Sequence, residues 1–270
     1  MTWPVPGACT RKVGTPMRVA VAGATGLAGR HVCHELRRRG ADVLALTRAA
    51  GTDLIAGHGL DRALEDVNVV IDASNVASPH ERMTRRDAVG AAMRNLVSAC
   101  ARARVQRLVL LSIINVDDSG FDDFAYYRAK QDQESILRAS SIEHVIVRSA
   151  QWFEFATNPS AVTLGERQVS AQDWLIQPIA VATVGEVLVE AALDQTPHDL
   201  TVAGPDPIRL PVLAARYLEH AGDHRPVITV PVPFPAFADG TLLPDADARK
   251  LGPDLSEWLD SLPAADAWKG

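Results

Sequence analysis

The chain has 270 residues, of which 47% are hydrophobic and 22% charged, a composition typical of globular proteins. Its 33 acidic and 27 basic side chains give a formal net charge of −6, which argues against nucleic-acid binding through a general basic field. No apolar run approaches the about 18 residues of a membrane span, and residues 1–16 lack the apolar core of a secretory signal. Three widely spaced cysteines, Cys9, Cys33 and Cys100, exclude a disulfide framework and favour a cytoplasmic location.

Short apolar runs alternate with helical patterns from residue 17 to residue 155. Strands are predicted at 18–22, 42–46, 67–73, 108–112 and 144–148. Helices are predicted at 31–39, 60–65, 81–104 and 126–140. Because these strands are apolar throughout, they indicate a parallel sheet covered on both faces, that is, a doubly wound α/β fold of the Rossmann type.

The alternation weakens after residue 149, where only helices at 184–193 and 210–221 and a strand at 200–203 are predicted. Prolines recur between 226 and 244 and exclude a helix there. We expect a tail (1–16), a Rossmann core (17–155) and a small C-terminal α/β lobe (156–270) that returns some segments to the core. Phe234 and Phe237, in the proline-rich segment, are expected either to close over a ligand or to meet a second subunit in a homodimer.

Glycines follow the first predicted strand with the spacing G-x-x-G-x-x-G. Gly23 allows a sharp turn, Gly26 lets the backbone approach a pyrophosphate, and Gly29 lets the next helix pack closely. Free backbone N–H groups near Thr25 and Leu27 then face the phosphates. Between a strand and a helix this spacing indicates a dinucleotide site, and the alternative is a tight turn without a ligand.

The ends of the next two strands carry the residues expected to select and contact the dinucleotide. The second strand ends in Thr47 and Arg48 rather than in the acid that binds the ribose of NAD. Arg48 therefore favours NADP(H), through its 2′-phosphate, unless it is only an exposed loop arginine. Ser74 and Asn75 are expected beside the cofactor, although they also suit a simple turn.

Tyr126 and Lys130 are spaced i and i+4 and so share one face of a predicted helix. We expect the lysine to lower the pKa of the phenol and to bond the ribose of a bound nicotinamide. The tyrosine then passes a proton to a carbonyl oxygen as hydride reaches the carbon. The alternatives are a surface Tyr–Lys contact, or a pair made by Tyr127 and Lys130.

These motifs together resemble an atypical short-chain dehydrogenase/reductase of the NmrA-like, NAD(P)-binding branch. The resemblance is carried by GATGLAG at 23–29, Arg48, LLS at 110–112, YYRAK at 126–130 and IVRSAQWFEF at 146–155, and it extends through 203–207. It implies an NADP(H)-binding Rossmann core, a small substrate lobe and a Ser-Tyr-Lys set of catalytic residues. Tyr126 and Lys130 match the last two positions. For the first, the resemblance offers Ser112, with Asn115 as its alternative in orienting the substrate.

Several further side chains have two interpretations. Trp152 and Phe153 are expected to line an apolar substrate pocket or to pack in the core. Arg148 is expected to meet an acidic substrate group or to form a structural ion pair. Arg82, Arg85 and Arg86 are interpreted as a solvated helix face, and no metal site is expected.

The sequence therefore predicts an NADP(H)-dependent oxidoreductase that reduces a carbonyl, an enone or a similar polarised double bond of a small molecule. The alternatives are an NADP(H)-binding redox sensor without turnover and an NAD(P)-dependent epimerase or dehydratase. Neither nucleic acid nor a membrane is an expected partner.

Overall fold

The computed structural model describes residues 16–78, 81–194 and 198–263. Nearly all of the expected N-terminal tail, with Cys9, lies outside these residues. Within the described ranges, none of the helices has the length and apolar composition that a membrane crossing requires.

The first part of the chain alternates strands and helices as predicted. The elements are β1 (Arg18–Ala22), α1 (Leu27–Arg38), β2 (Asp42–Leu46), α2 (Leu60–Ala63), β3 (Val69–Asp72), α3 (Arg85–Ala103), β4 (Arg107–Ile113), α4 (Ala125–Arg138) and β5 (Glu143–Ser149). Two starts differ from prediction by more than two residues. Helix α1 begins at Leu27 rather than at residue 31, and α3 begins at Arg85 rather than at 81 because the Thr84 hydroxyl accepts a hydrogen bond from the Asp87 amide and caps the helix.

The second part mixes short strands with three helices. The elements are β6 (Val162–Leu164), β7 (Val169–Gln172), β8 (Leu175–Ile176), α5 (Val181–Leu193), β9 (Leu200–Ala203), β10 (Ile208–Arg209), α6 (Leu210–His220), β11 (Val227–Val230), β12 (Arg249–Lys250) and α7 (Leu255–Ser261). Strand β11 lies in the proline-rich segment, where no strand was predicted. Only a 3-10 turn, Pro235–Phe237, interrupts the rest of that segment.

Seven strands form a parallel sheet in the order β12-β9-β5-β4-β3-β1-β2. The order confirms the doubly wound fold. Residues 47–68, all of which the structure describes, hold no strand, so β2 lies at the sheet edge where the usual six-stranded Rossmann order would add another strand. The order reverses between β1 and β3, and ligands of such sheets bind outside the carboxyl ends of the strands at that point.

Alternate residues of each central strand pack on opposite faces. Val19 and Val21 of β1 belong to one core with α1 and α5, whereas Ala20 and Ala22 belong to a second core that contains residues of α2, α3 and α4. The carboxyl ends of β1 and β3 are thereby fixed between two helical layers.

A third, aromatic-rich core joins the loop after β4 to the C-terminal segments. It contains Phe121, Tyr127, Trp174, Phe237 and Trp258 among its buried members. Strands β9 and β12 return to the main sheet, so the second part of the chain contributes both to this core and to the Rossmann sheet. This core packs against the end of β4 through Ile113.

Candidate active site

The glycine turn after β1 has the close contacts that its spacing predicts. Gly23 adopts a left-handed conformation (φ +75°), and a Cβ there would lie 2.6 Å from the Ala73 carbonyl oxygen. A Cβ on Gly29 would lie 2.0 Å from the Gly23 oxygen. Both positions therefore require glycine, and α1 packs directly against the turn.

The N-terminus of α1 is open to solvent beside this turn. Gly26 is the N-cap and supplies no side-chain hydrogen bond, and the first turn of the helix holds no acid. Thr25, Gly26 and Leu27 are exposed. The free amides at this end of α1 are consequently available to an anion such as a pyrophosphate.

Ser74 and Asn75 lie at the carboxyl end of β3, next to the glycine turn. The Cα of Ser74 lies 2.7 Å from the position that a Cβ on Gly23 would take. The Ser74 amide donates to Asp72 Oδ1 (2.9 Å), but the buried Ser74 hydroxyl has no hydrogen-bond partner among the described residues. An orphaned hydroxyl at the switch point suits a polar ligand in the crevice.

Arg48 is exposed directly after β2, at the same sheet edge. It begins a 3-10 turn that Thr47 caps by accepting a hydrogen bond from the Ala50 amide. Within the described part of the chain, the Arg48 guanidinium forms no ion pair. The position fits both a phosphate contact and the exposed loop arginine that was its alternative.

Tyr126 and Lys130 occupy the first turns of α4 but point to different surroundings. Tyr126 is half-buried, whereas Lys130 is 6% exposed and donates from Nζ to the Leu111 carbonyl (2.8 Å) and to Gln133 Oε1 (2.5 Å). Burial lowers the pKa of Lys130 to about 8, against the opposing charges of Asp72 and Glu134. The ammonium is therefore held by acceptors of the protein interior.

The expected lowering of the tyrosine pKa by Lys130 is wrong. Burial raises the pKa of Tyr126, and the cation that opposes this rise is Arg85, whose guanidinium carbon lies 5.5 Å from the ring centroid. The solvated helix face predicted for Arg82, Arg85 and Arg86 is likewise wrong for Arg85, which is half-buried over the ring. Tyr127 is buried and stacks on Phe121 with ring centroids 4.0 Å apart, so it is a core residue.

Ser112 and Asn115, the two alternatives after the fourth strand, differ in what they leave free. Asn115 donates both amide hydrogens, to the Thr241 carbonyl (2.5 Å) and to the Leu243 carbonyl (2.8 Å). Contrary to expectation, Asn115 has no amide hydrogen left to donate to a substrate, because the side chain holds the 241–243 loop. Ser112 is 2% exposed, and its hydroxyl has no partner among the described residues.

The aromatic side chains near Tyr126 are not the ones that the sequence predicts to line a substrate pocket. Phe153 is 3% exposed and stacks on Trp258 (centroids 5.0 Å apart), so core packing describes it and substrate lining does not. Trp152 is half-buried, and its indole N–H donates to Ser149 Oγ (3.0 Å). The half-buried rings near Tyr126 are Phe124, at 6.3 Å between centroids, and Phe234, which lies 5.6 Å from Phe124.

Arg148 is paired with acidic side chains of the protein. Arg148 forms a two-pronged ion pair with Glu134 (3.0 and 2.6 Å) and contacts Asp117 (2.9 Å), which identifies it as structural. Among residues 16–78, 81–194 and 198–263, no group of three or more His, Cys, Asp or Glu side chains is placed to hold a metal ion.

Sequence reasoning did not single out Asp72 or Gln133, and it missed the contact of Arg85 with Tyr126. Gln133 follows Lys130 by three positions and donates to Asp72 Oδ2 (3.0 Å), and Asp72 ends β3. The only signals in the sequence were an acid closing an apolar strand and a glutamine one helical turn after the lysine, and neither is specific.

Comparison with known proteins identifies the family. An NAD(P)H-binding family model matches residues 23–195, well over half of the chain, and the chain belongs to that family. The resemblance is confirmed as regards the NAD(P)H-binding family and the Rossmann fold, which solved short-chain dehydrogenase/reductase structures share. A superfamily member from Agrobacterium tumefaciens with bound NAD shares the fold (TM-score 0.69, 16% identity, 93% of this chain and 96% of that one).

Two curated relatives are similar in sequence. The photosystem II assembly factor Ycf39 of Synechocystis is 25% identical over 185 residues, which cover 63% of this chain and only 56% of that protein. The (4-alkanoyl-5-oxo-2,5-dihydrofuran-3-yl)methyl phosphate reductase of Streptomyces griseus is 29% identical over 209 residues, covering 70% of this chain and 69% of that one.

Proposed function

We propose that this NAD(P)H-binding chain is an NADP(H)-dependent reductase that acts on a carbonyl, an enone or a similar polarised double bond of a small molecule. The observation that carries the proposal is the placement of a half-buried phenol, Tyr126, at the start of the helix that follows β4. It therefore lies at the sheet edge where the glycine turn ends β1. The similarity to a reductase of an oxo-dihydrofuran phosphate supports the choice of reaction.

The crevice fits a dinucleotide by its tight turn and by its unused donors. A Cβ on Gly23 or Gly29 would collide with backbone atoms, so the N-terminus of α1 lies directly beside the end of β1, and the Ser74 hydroxyl has no protein partner among the described residues. In the proposal, the amides of Thr25 and Leu27 bind the pyrophosphate, the Gly26 amide closes the turn by donating to the Gly23 carbonyl (2.9 Å), and Ser74 and Asn75 lie beside the pyrophosphate. Arg48 binds the 2′-phosphate. Lys130 keeps one of its three hydrogens for a ribose hydroxyl.

NADPH supplies the hydride when it is bound, and Tyr126 supplies the proton. Burial raises the pKa of Tyr126, so the phenol is protonated at neutral pH and carries the proton that a general acid donates to a substrate oxygen. The substrate carbon gains the hydride while its oxygen gains the phenolic proton. Ser112 orients that oxygen with its otherwise unused hydroxyl, and Trp152 borders the substrate.

The first test is a fluorescence titration of NADPH and NADH with the wild type and Arg48→Ala. The wild type is expected to bind NADPH more tightly than NADH. Arg48→Ala is expected to weaken the affinity for NADPH by about ten-fold or more, since a charge-assisted phosphate contact is lost, and to leave the affinity for NADH unchanged. Equal binding of both nucleotides would remove the NADP(H) preference. No binding of either would overturn the proposed cofactor site.

The second test compares Tyr126→Phe with the matched variant Tyr127→Phe in NADPH oxidation with a panel of aldehydes and enones. Tyr126→Phe is expected to lose at least about 100-fold in turnover with unchanged NADPH affinity, because a general acid has been removed. Tyr127→Phe, which alters a buried ring, is expected to retain turnover. Comparable turnover in both variants would exclude Tyr126 as the acid.

A nucleotide-dependent regulator without turnover is the second candidate. Two observations favour it: the Lys130 ammonium bonds to interior acceptors, and one relative is an assembly factor. In that case NADPH binds, no member of the panel is reduced by the wild type, and Tyr126→Phe changes nothing.

A further inference from the structure

Arg85 is a cation held over the phenol that the proposed reaction uses. It is the first residue of α3, and its guanidinium carbon lies 5.5 Å from the centroid of the Tyr126 ring. Its Nη1 donates to Asn75 Oδ1 over a long 3.4 Å. The side chain thus lies between a residue beside the cofactor crevice and the proton donor.

No carboxylate neutralises Arg85 in the part of the chain that the structure describes. Its neighbour Arg86 forms a two-pronged ion pair with Asp132, one contact being 2.9 Å. Arg148 is paired with Glu134 in the same region of α4. Arg85 is half-buried as a whole residue, but its contact with Asn75 lies at the surface, and most of its five N–H donors have no acceptor among the described residues.

A guanidinium without an anion, held beside a phenol, can still bind one. The planar fork of arginine matches the two oxygens of a carboxylate or phosphate, and five N–H donors are available for it. The Phe124 ring lies 6.3 Å from the Tyr126 ring between centroids, and Phe234 packs beside Phe124. The phenol therefore has both a cation and half-buried aromatic rings near it.

We infer that Arg85 binds a carboxylate or phosphate group of the substrate, next to the substrate oxygen that Tyr126 protonates. The substrate class is consequently an anion that carries an apolar body and a polarised double bond. This inference rests on the proposed reductase function. The same oxyanion chemistry is offered by the phosphates of the cofactor, so the test separates the two sources.

The test uses Arg85→Gln, which keeps length and polarity but removes the charge, and Arg86→Gln as the control that removes the same charge one residue away. The reducible probes are 4-formylbenzoate and its uncharged methyl ester. Arg85→Gln is expected to raise the KM for 4-formylbenzoate by about ten-fold or more, because a charge-assisted contact is lost. The ester and the affinity for NADPH are expected to change less than about two-fold, and Arg86→Gln is expected to match the wild type.

Two results would overturn the inference. Equal losses with both probes would show that Arg85 only supports the Tyr126 ring. A weakened affinity for NADPH in Arg85→Gln would assign the cation to a cofactor phosphate.

Failure of the proposed function is recognised separately. If the wild type binds NADPH but reduces neither probe, calorimetry of benzoate and of benzamide with the NADP⁺ complex replaces turnover. Benzoate binding that is lost in Arg85→Gln and kept in Arg86→Gln supports the anion site without the reaction. Benzoate binding that is absent, or that does not depend on Arg85, overturns it.

Discussion

Gln133 donates a hydrogen bond from Nε2 to Asp72 Oδ2 (3.0 Å) and so joins α4 to the end of β3. The side-chain oxygen of the same residue, Gln133 Oε1, accepts a hydrogen bond from the Lys130 ammonium. Asp72 in turn accepts from the Ser74 amide, whose residue touches the glycine turn. A buried polar chain therefore connects the lysine of the Tyr-Lys motif to the cofactor crevice.

Gln133→Leu is expected to destabilise the fold and to disturb Lys130. The substitution leaves a buried carboxylate oxygen and a buried ammonium each short of a partner, which costs about 1–3 kcal/mol per group. Urea denaturation measures the change, with the half-buried Gln131→Leu on the same helix as control. A loss no greater than that of the control would show that the chain of hydrogen bonds contributes nothing to stability.

Lys130 is expected to make stability rise with pH in the alkaline range. Its folded pKa of about 8 lies below the ordinary 10.5, so the unfolded chain binds more protons between these values and the free energy of unfolding increases with pH there. Above about pH 10.5 the lysine is neutral in both states and its effect is constant. Lys130→Met removes this rise.

The measurement is urea denaturation of the wild type and Lys130→Met at pH 7, 8, 9 and 10. From pH 7 to pH 10, the free energy of unfolding of the wild type is expected to rise by about 2 kcal/mol or more relative to that of Lys130→Met. Lys250→Met, at an exposed position, is the control. A difference that stays constant with pH would contradict the lowered pKa.

The alternating elements were predictable because their signals are local. Strands such as Leu108–Leu111 are apolar on both faces and short, which is the pattern of a buried parallel strand. The two-residue strands β8 and β10 were not predictable. Their pairing joins Ile176 to Ile208, which α5 and β9 separate in the chain. Two residues are also too few to show a periodicity.

The motif residues of the site could be placed on the sheet edge from sequence, but their partners could not. The i and i+4 spacing puts Tyr126 and Lys130 on one face, yet the direction of the lysine depends on the Leu111 carbonyl and Gln133. Arg85 reaches Tyr126 only because α3 packs on α4, and a packing contact between two helices leaves no mark on the spacing within either one. The Asn115 amide donates its hydrogen bonds to carbonyls more than a hundred residues later in the chain, and no local pattern indicates such a contact.

Two glycine-to-alanine substitutions are expected to have opposite effects. Gly29→Ala places a Cβ 2.0 Å from the Gly23 oxygen, so the turn must shift, and both stability and NADPH binding are expected to fall. Gly90→Ala lies inside α3, where the nearest atom is the movable end of Arg94 at 3.2 Å, and alanine is expected to raise stability by up to about 1 kcal/mol. Thermal unfolding with and without NADPH measures both. Unchanged NADPH binding in Gly29→Ala would show that the turn tolerates widening.

The paired charges behind the site are expected to differ in importance according to burial. Glu134 is buried and accepts two hydrogen bonds from Arg148, whereas Asp117 is exposed and accepts one from the same guanidinium. Glu134→Gln weakens the support of a half-buried arginine and is expected to cost about 2 kcal/mol or more in the free energy of unfolding. Asp117→Asn is expected to cost less than about 1 kcal/mol because solvent screens an exposed pair.

Urea denaturation at low and high salt checks this ranking. The effect of Asp117→Asn is expected to shrink as salt rises, since exposed charges are screened over a Debye length of about 3 Å at 1 M. The effect of Glu134→Gln is expected to persist because its carboxylate is removed from solvent. Equal costs for the two variants, or equal salt dependence, would contradict the prediction and would mean that burial does not make Glu134 the more important partner of Arg148.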